Sequence, residues 1–211
     1  MSTILRKLLW PLLVIKMMVR RNTYMHTTGW MESMRRGYPC RANGEAIPWM
    51  NFPIIDFLEE RLNQEIILFE YGSGFSTSFY AKRVRHVSSV EYDQAWFEQV
   101  SSTTPDNVSL LYRKQDVDGS YCRTIKESGK RYDVVIVDGR DRVNCVKQSI
   151  HALSESGVII LDDSERPRYA DAFAYAREHG FRILEFEGLK PTKLKPAKSS
   201  IFYREKNCLG I

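Results

Sequence analysis

The sequence predicts an α/β fold in which a mostly parallel sheet of seven strands lies between two layers of helices. Three observations lead to this prediction. After Gln64, short apolar runs alternate with stretches of helical pattern, as strands and crossover helices do in a parallel sheet. A glycine-rich turn, Gly72 to Gly74, follows the first run. The last two runs are joined by a lysine- and proline-rich connection instead of a helix, which predicts an antiparallel pair.

The individual elements follow from this alternation of apolar runs and helical patterns. Strands are predicted at residues 66–71, 87–91, 108–112, 133–137, 158–161, 182–186 and 200–203. Helices are predicted between most of them, at 77–84, 93–100, 142–153 and 168–179, and Asp93 is a typical N-cap for the second. Residues 189–198 are predicted to form a long loop.

The sequence predicts an extension over residues 1–63 and the α/β domain over residues 64–211. A helix beginning at Pro53 presents an apolar face, whereas residues 22–44 show no period, which favours a loop or lid.

Residues 4–19 are too few and too charged to span a bilayer, and they predict an amphipathic helix bent or restarted at Pro11. Its basic residues lie opposite an apolar face made by Ile4, Leu5, Leu8, Leu12, Ile15, Met18 and Val19. Such a helix lies on an anionic membrane surface, or it docks on the protein's own core or on a sister subunit.

The composition narrows the function classes. A chain of 211 residues with 43% hydrophobic and 12% aromatic residues can bury one substantial core. A net charge of +5 points mildly toward anionic partners, although a merely solvated surface explains it equally well. No concentrated basic stripe with aromatics lies outside the termini, so no nucleic-acid partner is expected. Four scattered cysteines without a C-x-x-C pair favour a cytoplasmic protein with reduced thiols.

The segment "EYGSGFST" places a strand end, two glycines and a helix start in succession. Such a turn lets the backbone approach a ligand, which the helix amides then face. Glu91 ends the next strand about twenty residues later, at the spacing that grips ribose hydroxyls in dinucleotide sites. Thr77 occupies the place of the third glycine of G-x-G-x-x-G, which weakens the case for a dinucleotide.

Together, "EYGSGFST" and "VEYD" resemble the class I methyltransferases that use S-adenosylmethionine, over roughly Gln64 to Tyr203. The resemblance implies a Rossmann-like three-layer sandwich with a cofactor site at the glycine turn. The residues implied at the methionine end are Glu70, Gly72, Ser73 and Gly74. Glu91 is implied to bind the ribose hydroxyls, and Tyr92 lies beside the adenine. Asp116, or its neighbour Gln115, matches the adenine side more loosely, and Asp138 borders the same site.

Acidic residues also end the fourth and fifth strands, namely Asp138 in "VDGRDR" and Asp162 and Asp163 in "LDDSER". Because the carboxyl ends of parallel strands share one edge of the sheet, we expect these side chains to converge. The arrangement is similar to that of the catechol O-methyltransferase type, which implies Mg²⁺ or Ca²⁺ bound by all three and an acidified acceptor hydroxyl. Without a metal, the three carboxylates would repel one another and raise at least one pKa.

That family places a lysine three residues after the first metal-binding aspartate, where this chain has Asp141. Asp138 and Asp141 are therefore the candidate catalytic residues, although Asp141 suits the N-cap of the helix starting at Arg142 better than it suits a proton acceptor. Arg140 and Arg142 suit a carboxylate or phosphate on the acceptor, and salt bridges to the neighbouring aspartates are the alternative.

The sequence thus predicts an S-adenosylmethionine-dependent methyltransferase that acts on an oxygen of a small-molecule or carbohydrate acceptor. An anionic sugar or glycolipid would suit both the arginines and a membrane-bound N-terminal helix at the inner face of the membrane. The N-P-P-Y motif of amide or adenine N-methylation is absent after the fourth strand. A homo-oligomer is compatible with the sequence. Two other classes stay open: an NAD-dependent oxidoreductase with the same glycine turn, and a non-catalytic membrane-associated binding module.

Overall fold

The computed structural model describes residues 3–211, and the side chains of residues 3–6 and of Leu8 lie outside that description. The helices are α1 (Thr3–Val19), α2 (Tyr24–Thr27), α3 (Trp30–Arg36), α4 (Phe52–Arg61), α5 (Phe75–Ala81), α6 (Gln94–Ser101), α7 (Ser120–Glu127), α8 (Arg142–Ile150) and α9 (Ala170–Glu178). The strands are β1 (Ile67–Tyr71), β2 (His86–Glu91), β3 (Val108–Tyr112), β4 (Tyr132–Val137), β5 (Leu153–Asp162), β6 (Arg182–Leu189) and β7 (Pro196–Tyr203).

The seven strands form one sheet in the order β3-β2-β1-β4-β5-β7-β6. Strands β1 to β5 pair in parallel, whereas β7 is antiparallel to both β5 and β6. The predicted fold class, including the antiparallel last pair, is confirmed. After β1, the chain adds β2 and β3 on one side of β1, and then crosses over to add β4 on the other side of β1. Open α/β sheets bind ligands at such a reversal, in the crevice at the carboxyl ends of the two strands.

A hydrophobic core lies on each face of the sheet because strand residues alternate between the faces. Leu68 and Val134 face one core, which α4 and α5 complete. Phe69 and Val135 face the other, which α7, α8 and α9 complete. Asn51 caps α4 by accepting a hydrogen bond from the N–H of Ile54, and Pro53 stands at an early helical position as predicted.

The predicted elements match the observed ones with three differences. Helix α7 was not predicted, because only one side of this short segment is buried and its apolar residues are few. Helices α2 and α3 both lie within the stretch predicted to be a loop or lid. Strands β5, β6 and β7 are longer than their apolar runs, so the predicted loop at 189–198 shrinks to residues 190–195 between β6 and β7.

The described side chains of helix α1 are not docked on the protein's own core. They are exposed or half-buried, and Trp10, Leu12, Ile15 and Val19 are all more than half exposed. The predicted contributions of Ile4, Leu5 and Leu8 to its apolar face lie outside the described side chains. Among the described residues, no helix has both the length and the apolar character needed to cross a bilayer.

Candidate functional site

The glycine turn after β1 lies at the crevice between β1 and β4. Gly72 has a φ of +91°, and a Cβ atom added to it would lie 3.2 Å from the Cα of Gly139, which follows β4. A side chain at position 72 would therefore be strained and would fill the gap between the two turns. The N–H of Gly74 donates to Thr77 Oγ1 at 2.9 Å, which fixes the turn to the start of α5. Bare backbone from two neighbouring strands thus faces the crevice.

Glu70 lies beneath this turn and does not face the crevice. Its carboxylate is 1% exposed and accepts hydrogen bonds from the hydroxyls of Ser76, Thr77 (2.6 Å) and Ser89 (3.1 Å). Burial raises the pKa of Glu70 to about 7, although the three hydroxyls lower it. The contacts connect β1 with β2 and with the first turn of α5. The placement gives Glu70 a role in holding the turn, in place of the predicted contact with the methionine end of a cofactor.

Glu91 ends β2 beside the turn, as predicted, and its carboxylate is almost fully hydrogen-bonded by the protein. Oε2 accepts from the N–H and the hydroxyl of Ser73 at 2.9 and 3.0 Å, and Oε1 accepts from the N–H groups of Tyr92 and Asp93 at 2.8 and 2.9 Å. A carboxylate offers about four acceptor positions. A ribose hydroxyl would therefore have to replace the Ser73 hydroxyl at Oε2.

A cleft of about 320 Å³ opens between the turns that follow β1, β2 and β4. Its lining residues are Gly72, Ser73, Ser76, Glu91, Tyr92, Asp93, Trp96, Asp138 and Gly139. On its rim the guanidinium of Arg140 stacks 5.0 Å from the centre of the Tyr92 ring. Trp96, which the sequence analysis did not single out, donates from Nε1 to the carbonyl of Ser73 at 2.8 Å. The cleft thus contains most of the predicted cofactor residues, and Arg140 covers the ring predicted to lie beside an adenine.

Asp116 does not reach this cleft, because it caps the unpredicted helix α7. Its carboxylate accepts from the N–H and hydroxyl of Ser120, at 2.6 and 2.9 Å, and from the N–H of Tyr121 at 3.1 Å. Burial alone would raise the pKa of Asp116, but these hydrogen bonds outweigh it and lower the pKa. The predicted adenine-side contact is therefore not supported for Asp116, whereas its neighbour Gln115 lines an adjoining cavity.

Asp141 occupies the N-cap position of α8, with a φ of +47°, but its side chain does not cap the helix. Its carboxylate accepts instead from the side-chain amide of Asn144 at 2.9 Å and from the N–H of Asp118 at 2.8 Å. It is absent from the cavities that Asp138 lines. The placement does not support Asp141 as a proton acceptor.

Asp138, Asp162 and Asp163 converge at the carboxyl ends of β4 and β5, as predicted, but cations of the protein lie among them. Lys190 Nζ donates to Asp162 Oδ2 at 2.6 Å and to Asp163 Oδ1 at 2.7 Å. Arg142 Nη2 donates to Asp138 Oδ1 at 2.8 Å. The Ser199 hydroxyl also donates to Asp162 at 2.7 Å. Two of the three carboxylates therefore share an internal ammonium group.

This network corrects the prediction of a Mg²⁺ or Ca²⁺ site at Asp138, Asp162 and Asp163. A divalent cation needs carboxylate oxygens free to coordinate it, whereas here Lys190 and Arg142 already neutralise them. Within residues 3–211, no group of three or more His, Cys, Asp or Glu side chains is arranged to hold a metal ion. The donor set does not fit a metal. The basic side chains offset part of the repulsion among the three acids, and the predicted rise in pKa is found at Asp138.

Arg142 is a bridge between strand ends, so the predicted acceptor contact is replaced by the alternative of internal salt bridges. Besides Asp138, it donates from Nη1 to the carbonyl of Asp162 at 2.6 Å and from Nε to the carbonyl of Gly139 at 3.0 Å. Only 9% of its side chain is exposed. Arg140, by contrast, is exposed and lines a cavity beside the cleft.

Asp138 stands where three cavities meet. It lines the cleft at the glycine turn, a cavity of about 250 Å³ near Trp49 and Phe75, and a cavity of about 590 Å³ near Lys190. Burial, followed by the negative charge of Asp162, raises the pKa of Asp138 to about 8, although Arg142 lowers it. About 27% of the side chain remains exposed, so a molecule in the cavities can reach it.

Sequence reasoning missed Lys190 and Trp30. It singled out Trp49 as a candidate pocket residue, and Trp49 lines two of the cavities, but its contact with the Lys190 loop was not predicted. Trp49 Nε1 donates to the carbonyl of Pro191 at 3.0 Å, and Trp30 Nε1 donates to the carbonyl of Lys193 at 2.8 Å. The extension therefore fixes the β6–β7 loop next to the site. The one available signal for Lys190 was the excess of three acids at a single rim, which requires a nearby cation.

Solved structures of other proteins share this fold. A precorrin-6y C5,15-methyltransferase from Geobacter metallireducens is 15% identical, with a TM-score of 0.52, over 72% of this chain and 87% of its own. A candidate methyltransferase from Streptococcus mutans, solved with SAH, is 16% identical, with a TM-score of 0.51, over 70% of this chain and 94% of its own. The fold is the class I methyltransferase fold.

An rRNA methylase from Streptococcus thermophilus shares this class I methyltransferase fold, at 16% identity and a TM-score of 0.52, over 72% of this chain and 96% of its own. The sequence matches no protein-family model and no curated protein. At such identities the likeness concerns the fold, so the reaction has to be argued from the site.

Proposed function

We propose that the protein is an S-adenosylmethionine-dependent methyltransferase whose acceptor is an oxygen nucleophile. The observation that carries the proposal is the meeting of Gly72 and Gly139 at the point where the strand order reverses, with Glu91 at the end of the next strand. This backbone-lined crevice with one acid beside it suits a nucleoside ligand. Gly72, Ser73, Glu91 and Tyr92 would hold S-adenosylmethionine, which supplies an electrophilic methyl group when bound.

Asp138 is the group best placed to act on an acceptor. It lines both the cleft and the two cavities in which an acceptor can lie, and Arg142 fixes one of its carboxylate oxygens. A hydroxyl acceptor must lose its proton as it attacks the methyl carbon, and a carboxylate with a pKa near the working pH is suited to accept it. Asp138 therefore serves as general base, with no metal required.

Binding of S-adenosylhomocysteine tests this proposal, because a site that holds the methyl donor also holds the demethylated product. If the protein is instead an NAD-dependent oxidoreductase, it should bind NAD in preference to S-adenosylhomocysteine, since the same glycine turn would then bind NAD. Calorimetric titration of the protein with each compound separates the two functions.

The exposed helix α1 also bears on the location of the protein. We propose that α1 attaches it to the surface of an anionic membrane, at the cytoplasmic face. Trp10, Leu12, Ile15 and Val19 are exposed on α1, with Lys16 on the same helix and Arg20 just beyond it. Exposed apolar residues on a basic helix favour adsorption to anionic head groups. A sister subunit that covers the same residues is the competing explanation.

The double variant Leu12→Glu/Ile15→Glu is expected to weaken binding to vesicles containing anionic lipid by about tenfold or more, since it removes apolar contact and adds repulsion. Co-sedimentation with anionic and with zwitterionic vesicles measures the effect. Val117→Glu is the matched control, because Val117 is 80% exposed and lies far along the chain from α1. Equal binding by wild type and double variant, or a wild-type dimer that the double variant abolishes in sedimentation, would argue against membrane attachment.

A further inference from the structure

An arginine-lined cavity of about 330 Å³ adjoins the cofactor cleft. Four of its nine lining residues are arginines: Arg140, Arg142, Arg166 and Arg168. The cavity shares Gly139 with the cleft and Arg166 with the larger cavity beside Asp138. A group bound in it can therefore belong to a molecule that also reaches the proposed general base.

Two of the four arginines are already neutralised, and two are not. Arg142 pairs with Asp138 at 2.8 Å, and Arg166 pairs with Asp163 at 2.5 Å. Arg140 and Arg168 make no ion pair with any residue in the described part of the chain. These two guanidinium groups thus line the cavity without a carboxylate partner.

Aromatic rings hold both of these guanidinium groups in place. Arg140 stacks 5.0 Å from the centre of the Tyr92 ring, and Arg168 stacks 5.0 Å from the centre of the Tyr169 ring. Arg168 Nη2 also donates to the Tyr169 hydroxyl at 3.1 Å. A ring beside a guanidinium restricts its position, and the remaining N–H groups can still donate to a ligand. An arginine positioned in this way loses less freedom when it binds an oxyanion.

The cavity contains little that would oppose an anion. Asp141 is the one acidic residue among those that line it, and its carboxylate is bound to the Asn144 amide and to the N–H of Asp118. Helix α8 begins at this cavity with Arg142 and Val143, and no side chain caps its N-terminus. The N–H groups of a first helical turn favour negative charge.

We infer that this cavity binds a phosphate group of the methyl acceptor, with Arg140 and Arg168 as its principal ligands. The inference rests on the proposed function, which places an acceptor beside Asp138. One guanidinium fork satisfies both oxygens of a carboxylate, whereas two unpaired forks on one cavity match the larger number of oxygens on a phosphate. The same chemistry is offered by a sugar phosphate and by the head group of a phospholipid.

Inorganic phosphate is the first probe, titrated calorimetrically at constant ionic strength against the full-length protein. Arg140→Gln and Arg168→Gln are each expected to weaken phosphate binding by about tenfold, because each removes charge-assisted hydrogen bonds. Arg177→Gln is the matched control, since Arg177 is exposed and stacks on Phe173 but lies outside the cavity. No phosphate binding by wild type, or equal weakening by the control, would overturn the inference.

S-adenosylhomocysteine affinity of Arg168→Gln, measured on the same samples, separates this inference from the proposed function. If Arg168→Gln binds phosphate more weakly but still binds S-adenosylhomocysteine normally, the result supports both the phosphate site and the methyltransferase. If the wild-type protein does not bind S-adenosylhomocysteine, the methyltransferase is refuted, and the phosphate titration alone decides whether the cavity binds phosphate. Competition against phosphate then identifies the source of the group. Displacement by hexose phosphates indicates a sugar acceptor, displacement by phosphatidylglycerol vesicles indicates a lipid, and displacement by neither contradicts the assignment to an acceptor.

Discussion

Replacement of Asp138 by asparagine is expected to lower kcat for methyl transfer by about a thousandfold, within the range known for loss of a general base. The amide keeps the size of the carboxylate and can still accept from Arg142, but it cannot take the proton of an acceptor hydroxyl. The measurement is transfer of a labelled methyl group from S-adenosylmethionine to hydroxyl-bearing acceptors, with a methyl ether as the expected product.

The pH dependence gives this prediction a second readout. Since burial and Asp162 raise the pKa of Asp138 to about 8, the carboxyl group is protonated and inactive as a base below that pH. The wild-type rate should therefore rise with pH through about 8 and then level off, and the Asp138→Asn variant should lack this rise. Asp106→Asn is the control, with nearly unchanged kcat, because Asp106 is exposed and lines none of the cavities at the site. An Asp138→Asn variant that retains wild-type kcat, or a methylated amine as product, would contradict the role given to Asp138.

Replacement of Lys190 by methionine is expected to lower the free energy of unfolding by about 3–5 kcal/mol, because it leaves buried carboxylates without their cation. Asp162 is fully buried, and Lys190 lies within 2.7 Å of both Asp162 and Asp163. For a domain of this size the loss corresponds to a decrease in Tm of about 10 °C. Thermal unfolding followed by circular dichroism measures it.

Lys193→Met is the matched control for this measurement, since Lys193 lies on the same loop, is exposed and makes no ion pair among the described residues. It should change stability by less than about 0.5 kcal/mol. Adding Asp162→Asn to Lys190→Met should recover part of the lost stability, because it removes the uncompensated charge. Equal Tm values for Lys190→Met and wild type would mean that the acids do not depend on Lys190.

Much of the fold could be predicted because its signals are local. The runs that become β1, β2 and β4 are buried on both faces, and the lysine- and proline-rich connection marked the antiparallel last pair. Helix α7 was not predicted because two features support it that a short sequence pattern does not show. Asp116 accepts a hydrogen bond from the N–H at the start of the helix, and the buried side of the helix packs against distant parts of the chain. Longer strands at the end of the sheet also result from pairing, since β6 and β7 extend along each other beyond their apolar runs.

The candidate site was predictable where residue type and strand end coincide, as for Gly72, Glu91 and Asp138. The roles of Asp162 and Asp163 were not predictable, because they depend on Lys190, which lies in another loop and is brought to them only by the fold. For the same reason Glu70 was assigned to a ligand, although the hydroxyls of Ser76, Thr77 and Ser89 bind it below the turn. Spacing in the sequence locates a carboxylate, but it does not reveal whether a ligand or another side chain of the protein binds that carboxylate.

In our proposal, the crevice between β1 and β4 holds the nucleoside of a methyl donor without a metal. Calorimetric titration with S-adenosylhomocysteine, in the presence of magnesium and then of a chelator, tests it most directly. We expect one site per chain, the same affinity under both conditions, and no comparable binding of NAD. Absence of binding, binding that requires magnesium, or preferential binding of NAD would contradict it.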